Sequence, residues 1–537
     1  MASPMPRPED LVSTDSPMPE RDWREAPVRF SPGTFSYPAA KKHIEALGGA
    51  NPHAWAVDQD DWGLPDHWQD IVVQGLKDRL GKYRSLSLFM DTCVRCGACA
   101  DKCHFFLGSG DPKNMPVLRA ELLRSVVRKY FTTSGRVLGR LAGARSLTED
   151  VIKEWFYYYY QCTECRRCSV YCPHGIDTAE ITMIAREILH DLGLGINWVA
   201  EPVVNSFRTG NHLGLQPHAF MDSLAFVVDE LKAATGIDAT PSVNRKGAEI
   251  LFVMPSADLY AEPAIYTLMG YLLLFRYIGL DVTLSTFASD GGNFGLFASH
   301  DMLKGLNAKI YDEARRLGVK WILGGECGHM WRVIHQAMDT MNGPADFLEV
   351  PKSPITGTVF HHAKSTKAVH ICEFTCDLIA QKKLVLDPSR NRAIIPTFHD
   401  SCNPARAMGM LEEPRYILRN VCERFFEMPE NTIREHTFCC GGGAGLGNDE
   451  NMEMRLRGGL ARGHAVAHVR DRHGVNMLAC ICAIDKATLP PLVEYWAPGV
   501  DVCGVHELVG NALVMPGECE SRRDGTINLR GQEITRA

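Results

Sequence analysis

Cysteine spacing constrains this chain more than any other feature. Eight of its nineteen cysteines fall in two runs, Cys93-x-x-Cys96-x-x-Cys99-x-x-x-Cys103 and Cys162-x-x-Cys165-x-x-Cys168-x-x-x-Cys172-Pro173. Three thiolates at this spacing wrap a loop around one face of an iron–sulfur cubane, and a remote fourth closes the last corner. In two-cluster ferredoxins the fourth cysteine of each run ligates the other cluster. The pattern therefore assigns Cys93, Cys96, Cys99 and Cys172 to one [4Fe–4S] cluster, and Cys162, Cys165, Cys168 and Cys103 to a second. Structural zinc sites rarely repeat this spacing twice. His104 stands where the second run has Pro173, but proline there is a turn device and not a ligand.

A third set is spread more widely: Cys402, the vicinal pair Cys439-Cys440 followed by Gly441-Gly442, and Cys480-x-Cys482. Neighbouring cysteines bond each other poorly, because the trans peptide between them disfavours the sulfur–sulfur geometry. They can both face one polynuclear metal centre. Gly441, Gly442, Gly443, Gly445 and Gly447 fit neither a dinucleotide nor a P-loop signature. Beside vicinal thiolates they let the backbone approach a cluster and donate N–H bonds to its sulfurs. No NAD or flavin fingerprint is present.

The net charge of −7 gives no basic surface for nucleic acid. Cysteines bunched at metal-ligand spacings in a chain of 537 residues point to a reducing compartment rather than to disulfides. Residues 1–60 are polar and proline-rich and lack the h-region of a signal peptide. The most apolar run, Leu268 to Leu280, carries Arg276 and is too short to span a bilayer, so it is expected to be a buried helix. The expected location is cytoplasmic, peripherally attached to the inner face of the membrane through a partner protein.

The chain reads as α+β. Residues 1–84 form an N-terminal arm and helical lead-in: prolines fill the first 40 residues, and Trp55, Trp62, Trp68, Leu64 and Ile71 mark the packed part. Residues 85–200 hold the two cysteine runs, with apolar residues at helical spacing in 116–130 and 178–192. This region is similar to an alpha-helical ferredoxin. Linker helices follow in 201–247. Residues 248–515 contain an internal repeat, 248–380 and 390–515, in which short β runs alternate with amphipathic helices and imply parallel strands. A tail, 516–537, ends the chain. Aligning Gly318-Val319 with Gly474-Val475 sets Gly324 against Cys480 and Glu326 against Cys482. Aligning Thr286-Phe287 with Thr437-Phe438 sets Ala288-Ser289 against Cys439-Cys440. Only the second unit keeps the ligand set, so one cluster is expected there, with the first unit as scaffold and lid.

The set Cys402, Cys439-Cys440-Gly441-Gly442 and Cys480-x-Cys482 resembles the cysteine-rich CCG domain of heterodisulfide reductase catalytic subunits, though Cys-x-Cys replaces the usual Cys-x-x-Cys. With the ferredoxin runs, and with HFFLGSGDPKNMPVLRAELLR, QCTECRRCSVYCPHGIDTAEITMIAREIL and ACICAID, the chain resembles the heterodisulfide reductase D subunits. It is more closely similar to the K subunits of the Dsr membrane complex (DsrMKJOP). The resemblance implies two [4Fe–4S] clusters plus an active-site iron–sulfur cluster on Cys402, Cys439, Cys440, Cys480 and Cys482. It also implies a membrane cytochrome b-type quinone-reactive partner, other members of a DsrMKJOP-type complex, and a small DsrC-like sulfur carrier with C-terminal cysteines as substrate. The implied activity is disulfide, trisulfide or dithiol oxidoreduction in dissimilatory sulfur metabolism. The rival is an electron-relay component of a quinone-linked lactate or glycerol-3-phosphate dehydrogenase.

Cys327, in GGECGH, falls one position past Cys482 in the repeat alignment and is a ligand, a redox-active thiol or a core cysteine. Cys372 and Cys376 share a helix face, and Cys422 belongs to an apolar pattern. His361-His362 lack further ligands. His399-Asp400-Ser401 shape the loop that bears Cys402, because adjacency in sequence is the wrong way to build a triad.

Overall fold

The computed structural model describes residues 64–290, 292–447 and 452–532. The proline-rich arm, Trp55 and Trp62 lie outside them. The described lead-in is the helix Trp68–Lys82, whose Val72 and Leu76 are fully buried, with Leu64, Trp68 and Ile71 packed on the same core.

The helical module is built around three helices whose apolar residues recur at the 3.6-residue period. Pro116–Phe131 starts on a proline at its first position, where a missing N–H costs nothing. It buries Leu122, Leu123, Val126 and Val127, each contributing about 1.5–3 kcal/mol of hydrophobic stabilisation. Glu149–Tyr159 is capped by Thr148, whose side chain accepts from the Val151 N–H. It sets Trp155 and Tyr159 inside, with the Tyr159 hydroxyl donating to the carbonyl of Arg119. Thr178–Asp191 is capped by Asp177 and buries Ile181, Ile184, Ala185 and Ile188.

Two parallel sheets follow. The first holds β1 (Ser242–Val243), β2 (Ile250–Val253), β3 (Val282–Leu284), β4 (Trp321–Gly324) and β5 (Ala368–His370) in the order β1-β3-β2-β4-β5. The second holds β6 (Pro396–His399), β7 (Met477–Cys480) and β8 (Asp501–Gly504) in the order β6-β7-β8. All pairings within them are parallel. The succession β2-β4-β5 with its crossover helices matches β6-β7-β8, and β4 and β7 end at Gly324 and Cys480, the pair set opposite each other by the sequence repeat. Among the described residues the second unit has no strand matching β3; there the chain carries the Cys439-Cys440 loop. The first sheet begins at Ser242, inside the stretch expected as linker helices, because a two-residue edge strand leaves no period in the sequence.

The apolar run expected to be a buried helix is the helix Ala264–Ile278, buried from Thr267 to Phe275. Among the described residues no helix is long and apolar enough to cross a membrane. This helix crosses Val505–Ala512 so closely that their backbones touch: a Cβ on Gly270 would lie 1.8 Å from the carbonyl oxygen of His506, and one on Gly510 would lie 2.8 Å from the Gly270 Cα. The two units therefore share one core, in which Leu268, Leu272, Phe374, Phe398 and Leu508 are buried together. The C-terminal segment packs back onto it, with Leu529 buried and Arg530 paired to Glu507 at 2.7 Å.

Gly270→Ala should lower thermal stability by about 1–3 kcal/mol, the usual cost of overpacking a rigid site. Gly81→Ala, whose added methyl meets nothing within 4 Å at a helical position, should be neutral or stabilising by up to about 1 kcal/mol. Thermal melts of the two variants check the pair.

Candidate metal centres

The two cysteine runs adopt the same backbone path. The second residue after the first cysteine (Arg95, Glu164) and the residue after the second cysteine (Gly97, Arg166) all have positive φ, between 54° and 79°. Three of these four are not glycine, and a left-handed conformation at such residues persists only where the surroundings dictate it. Here it curls each loop so that its thiols converge. One cleft is lined by Cys93, Cys96, Cys99 and Cys172, with Cys168 at its edge. A second is lined by Cys103, Cys162, Cys165 and Cys168. The four thiols that the sequence groups on each cluster thus line a common cleft, with Cys168 bordering both, and all-cysteine donor sets of this kind fit cubanes.

The surroundings of the second cleft suit a buried anionic cluster. Arg119, 2% exposed, points Nη1 at Cys103 Sγ at 3.9 Å, while its other nitrogens donate to the Tyr158 carbonyl at 3.1 Å and to Asn114 Oδ1 at 2.6 Å. Burial would lower its pKa, but the nearby thiols Cys162 and Cys103 outweigh that and raise it. Glu164 is fixed by Arg186 at 3.1 Å and Arg332 at 3.4 Å, all three buried. Arg332 belongs to the first α/β unit, so this triad ties the cysteine loop to it. Removing Glu164 would leave two buried guanidinium groups without their counter-charge, at a cost of about 3–5 kcal/mol.

The third set converges from separate loops. Cys402 follows β6; the preceding residues hold its loop, with Asp400 bidentate to Arg415 at 2.6 and 2.7 Å, and Ser401 and His399 both reaching Asp485, at 2.6 and 3.4 Å. The His399-Asp400-Ser401 stretch is thus a loop-shaping device, as expected. The Cys439 thiol donates to Thr163 Oγ1 at 3.4 Å, and the neighbouring thiols of Cys165 and Cys402 push its pKa well above the ordinary range. The Cys482 thiol lies beside those of Cys327 and Cys440, both of which add to burial in raising its pKa. Gly442 is obligatory, since a Cβ there would come within 2.3 Å of Thr488 Cγ2. Burial pushes the Cys168 and Cys482 thiols well above the ordinary range, so loading metal here must release protons.

Cys327, Cys402, Cys439, Cys440 and Cys482 therefore share one neighbourhood. Cys480 does not point there: as the last residue of β7 it turns into the core, its Sγ 3.6 Å from the Cys503 carbonyl. Beneath it lies a fully buried network that sequence reading missed. Lys486 pairs with Asp258 at 2.6 Å and Glu326 at 3.5 Å, and Glu326 with His506 at 2.7 Å. Its only signal in the sequence is charge inside apolar runs. Cys372 and Cys422 are core residues, and Cys376 donates to the Glu413 carbonyl at 3.2 Å. His362 pairs with Glu373 at 2.8 Å.

A cavity of about 430 Å³ opens onto this neighbourhood between the two α/β units. Cys327, His329, Gly442, Gly445, Ala483 and Phe297 line it. The His329 ring is buried, its pKa depressed to about 4 by that burial, and its Nε2 makes no hydrogen bond.

The 4Fe-4S dicluster domain family model matches residues 89–176. The chain is 49% identical to Hdr-like menaquinol oxidoreductase iron-sulfur subunit 2 of Archaeoglobus fulgidus, over 96% of this chain and 98% of that protein. It is 50% identical to the Hdr-like menaquinol oxidoreductase iron-sulfur subunit of Archaeoglobus profundus, over 89% of each. The D subunit of the dihydromethanophenazine:CoB--CoM heterodisulfide reductase of Methanosarcina acetivorans is 23% identical, over 79% of this chain and 94% of that protein. No solved structure matches the chain.

Arg119→Met should shift the reduction potential of one ferredoxin-type cluster downward by on the order of 100 mV, since a unit charge is lost at short range in a low-dielectric site. The other cluster should be unaffected. An EPR-monitored redox titration reads both.

Proposed function

Since the chain belongs to the family of Hdr-like menaquinol oxidoreductase iron–sulfur subunits, an oxidoreductase family, we propose that it passes electrons between a quinone-reactive cytochrome b-type membrane partner and a protein disulfide, trisulfide or dithiol. The substrate is a small DsrC-like sulfur carrier, the setting a DsrMKJOP-type complex in dissimilatory sulfur metabolism, and the protein sits at the inner face of the membrane. The observation that carries this reading is the contact between the second ferredoxin run and the vicinal pair: Cys439 Sγ lies 3.4 Å from Oγ1 of Thr163, which stands between Cys162 and Cys165. It leaves no gap between the relay and the site that borders the cavity.

In this reading Cys93, Cys96, Cys99 and Cys172 hold one [4Fe–4S] cluster, and Cys103, Cys162, Cys165 and Cys168 hold the other. Cys402, Cys439, Cys440 and Cys482 hold a third centre, Cys327 is the further thiol beside it, and Cys480 is structural. Bound clusters supply one-electron transfer, whereas a disulfide takes two electrons and two protons to become two thiols. The chain's own residues do the rest. Gly442 lets the backbone close on the site, the apolar walls Phe297, Ala483 and Ile484 exclude water, and the cavity admits a narrow sulfur-bearing arm. Arg119 offsets the charge of the relay.

Cys440→Ser should leave both ferredoxin clusters reducible and abolish disulfide or dithiol turnover, assayed with a viologen dye and a dithiol protein. Substantial residual turnover would show that the sulfur chemistry occurs elsewhere. Cys103→Ser should damage the same EPR signal as Cys168→Ser, and Cys172→Ser the same signal as Cys93→Ser. Spectra that group Cys103 with Cys93 overturn the crossed ligand sets.

A further inference from the structure

Between the helices Pro116–Phe131 and Glu149–Tyr159 the chain makes a short excursion. Thr133–Leu138 is helical, Gly139 breaks it at φ 53°, and the turn Gly139–Ala142 follows. Apolar side chains on this knuckle face outward: Leu141 is 91% exposed, Val137 75% and Leu138 53%. No packing argument explains three neighbouring aliphatic residues in water, and each costs hydrophobic free energy where it stands.

Along the segment itself the charge has one sign. From Leu122 to Thr148 the sequence has Arg124, Arg128, Lys129, Arg136, Arg140 and Arg145 and no Asp or Glu, within a chain of net charge −7. Arg124 and Arg128 pair with Glu121, and Arg145 with Glu154. Arg136 and Arg140, which are interspersed with the apolar residues, are exposed, and Arg136 spends its donors on the Tyr130 carbonyl, which leaves its charge uncancelled. Aliphatic tips flanked by arginine are what an anionic lipid surface binds: the tips enter the acyl boundary and the guanidinium groups meet headgroup phosphates.

We infer that the knuckle Arg136–Leu141 is a docking element for the surface of an anionic lipid bilayer. Its position gives this a purpose. A Cβ on Gly143, at the base of the knuckle, would lie 3.7 Å from Arg95 Nη2, and Arg95 lies between Cys93 and Cys96. In that same loop Cys96 is exposed and Val94 is 65% exposed. Docking through the knuckle would therefore bring the loop of the more accessible cysteine cleft close to the bilayer.

The test is co-sedimentation of the iron-loaded full chain with vesicles of phosphatidylglycerol and phosphatidylcholine, against pure phosphatidylcholine vesicles. The wild type should pellet with the anionic vesicles only. Replacing Val137, Leu138 and Leu141 together by Ser should abolish binding while the cluster absorbance is kept. Arg136→Gln with Arg140→Gln should weaken it roughly fivefold for each charge removed; this pair keeps the test decisive even if the apolar variant misfolds. Absence of wild-type binding to anionic vesicles, undiminished binding by the arginine pair, or dependence of the knuckle on a protein partner with lipid absent would each overturn the inference. None of these outcomes touches the sulfur chemistry, which has its own assay.

Discussion

The loop Cys162–Cys168 lies directly on the segment Thr437–Cys440, and most of what distinguishes this chain depends on that seam. It is assembled by arginines. Arg167 stacks on the Phe438 ring at 3.7 Å and donates to the His436 carbonyl at 2.9 Å. Arg406 bridges the carbonyls of Cys165 and Thr437, and Arg462 holds Thr437 from below at 2.6 Å. Guanidinium groups suit the task, since each offers several donors in a plane and keeps its charge when buried. They satisfy loop carbonyls that no helix or strand can satisfy, and they place positive charge around thiolates that would otherwise repel one another.

The same seam explains the role of the degenerate first unit. It keeps the sheet and crossover helices but no vicinal thiols: Ala288 and Ser289 are buried there, with the Ser289 hydroxyl 3.4 Å from the Gly210 carbonyl. What it contributes is Arg332 to the Glu164 loop, Cys327 and His329 to the site, and one wall of the cavity. The buried Lys486, Asp258, Glu326 and His506 network joins the two units beneath these residues. With an obligatory contact at Gly270, the interface cannot slide without breaking either packing or charge pairing, so the thiols from both units are held in register.

Much of this was legible from residue spacing. The cysteine runs announce their own grouping because metal ligation imposes a spacing that packing never would. The repeat was readable because β4 and β7 both follow a Gly-Val pair, Gly318-Val319 and Gly474-Val475. The crossed pairing of Cys103 and Cys172 could be stated because their runs carry the ferredoxin spacing in full. Other features were hidden. Cys480 and Cys482 look equivalent in sequence, yet one closes a strand and turns into the core while the other caps the N-terminus of the helix Ala483–Trp496. Whether Cys327 meets the site depends on a contact between units far apart in the chain. The arginines at the seam and Lys486 have no spacing rule, since a buried charge is selected by partners that only the fold brings near.

Cys402, Cys439, Cys440 and Cys482, next to Cys165, are held to bind a metal centre distinct from the two in the helical module. Anomalous diffraction at the iron edge, from crystals grown without oxygen, tests this most directly. The account predicts three separate iron peaks, the third enclosed by these four cysteines with Cys327 beside it and Cys480 turned away. Two peaks only, or a third ligated through Cys480, would contradict it.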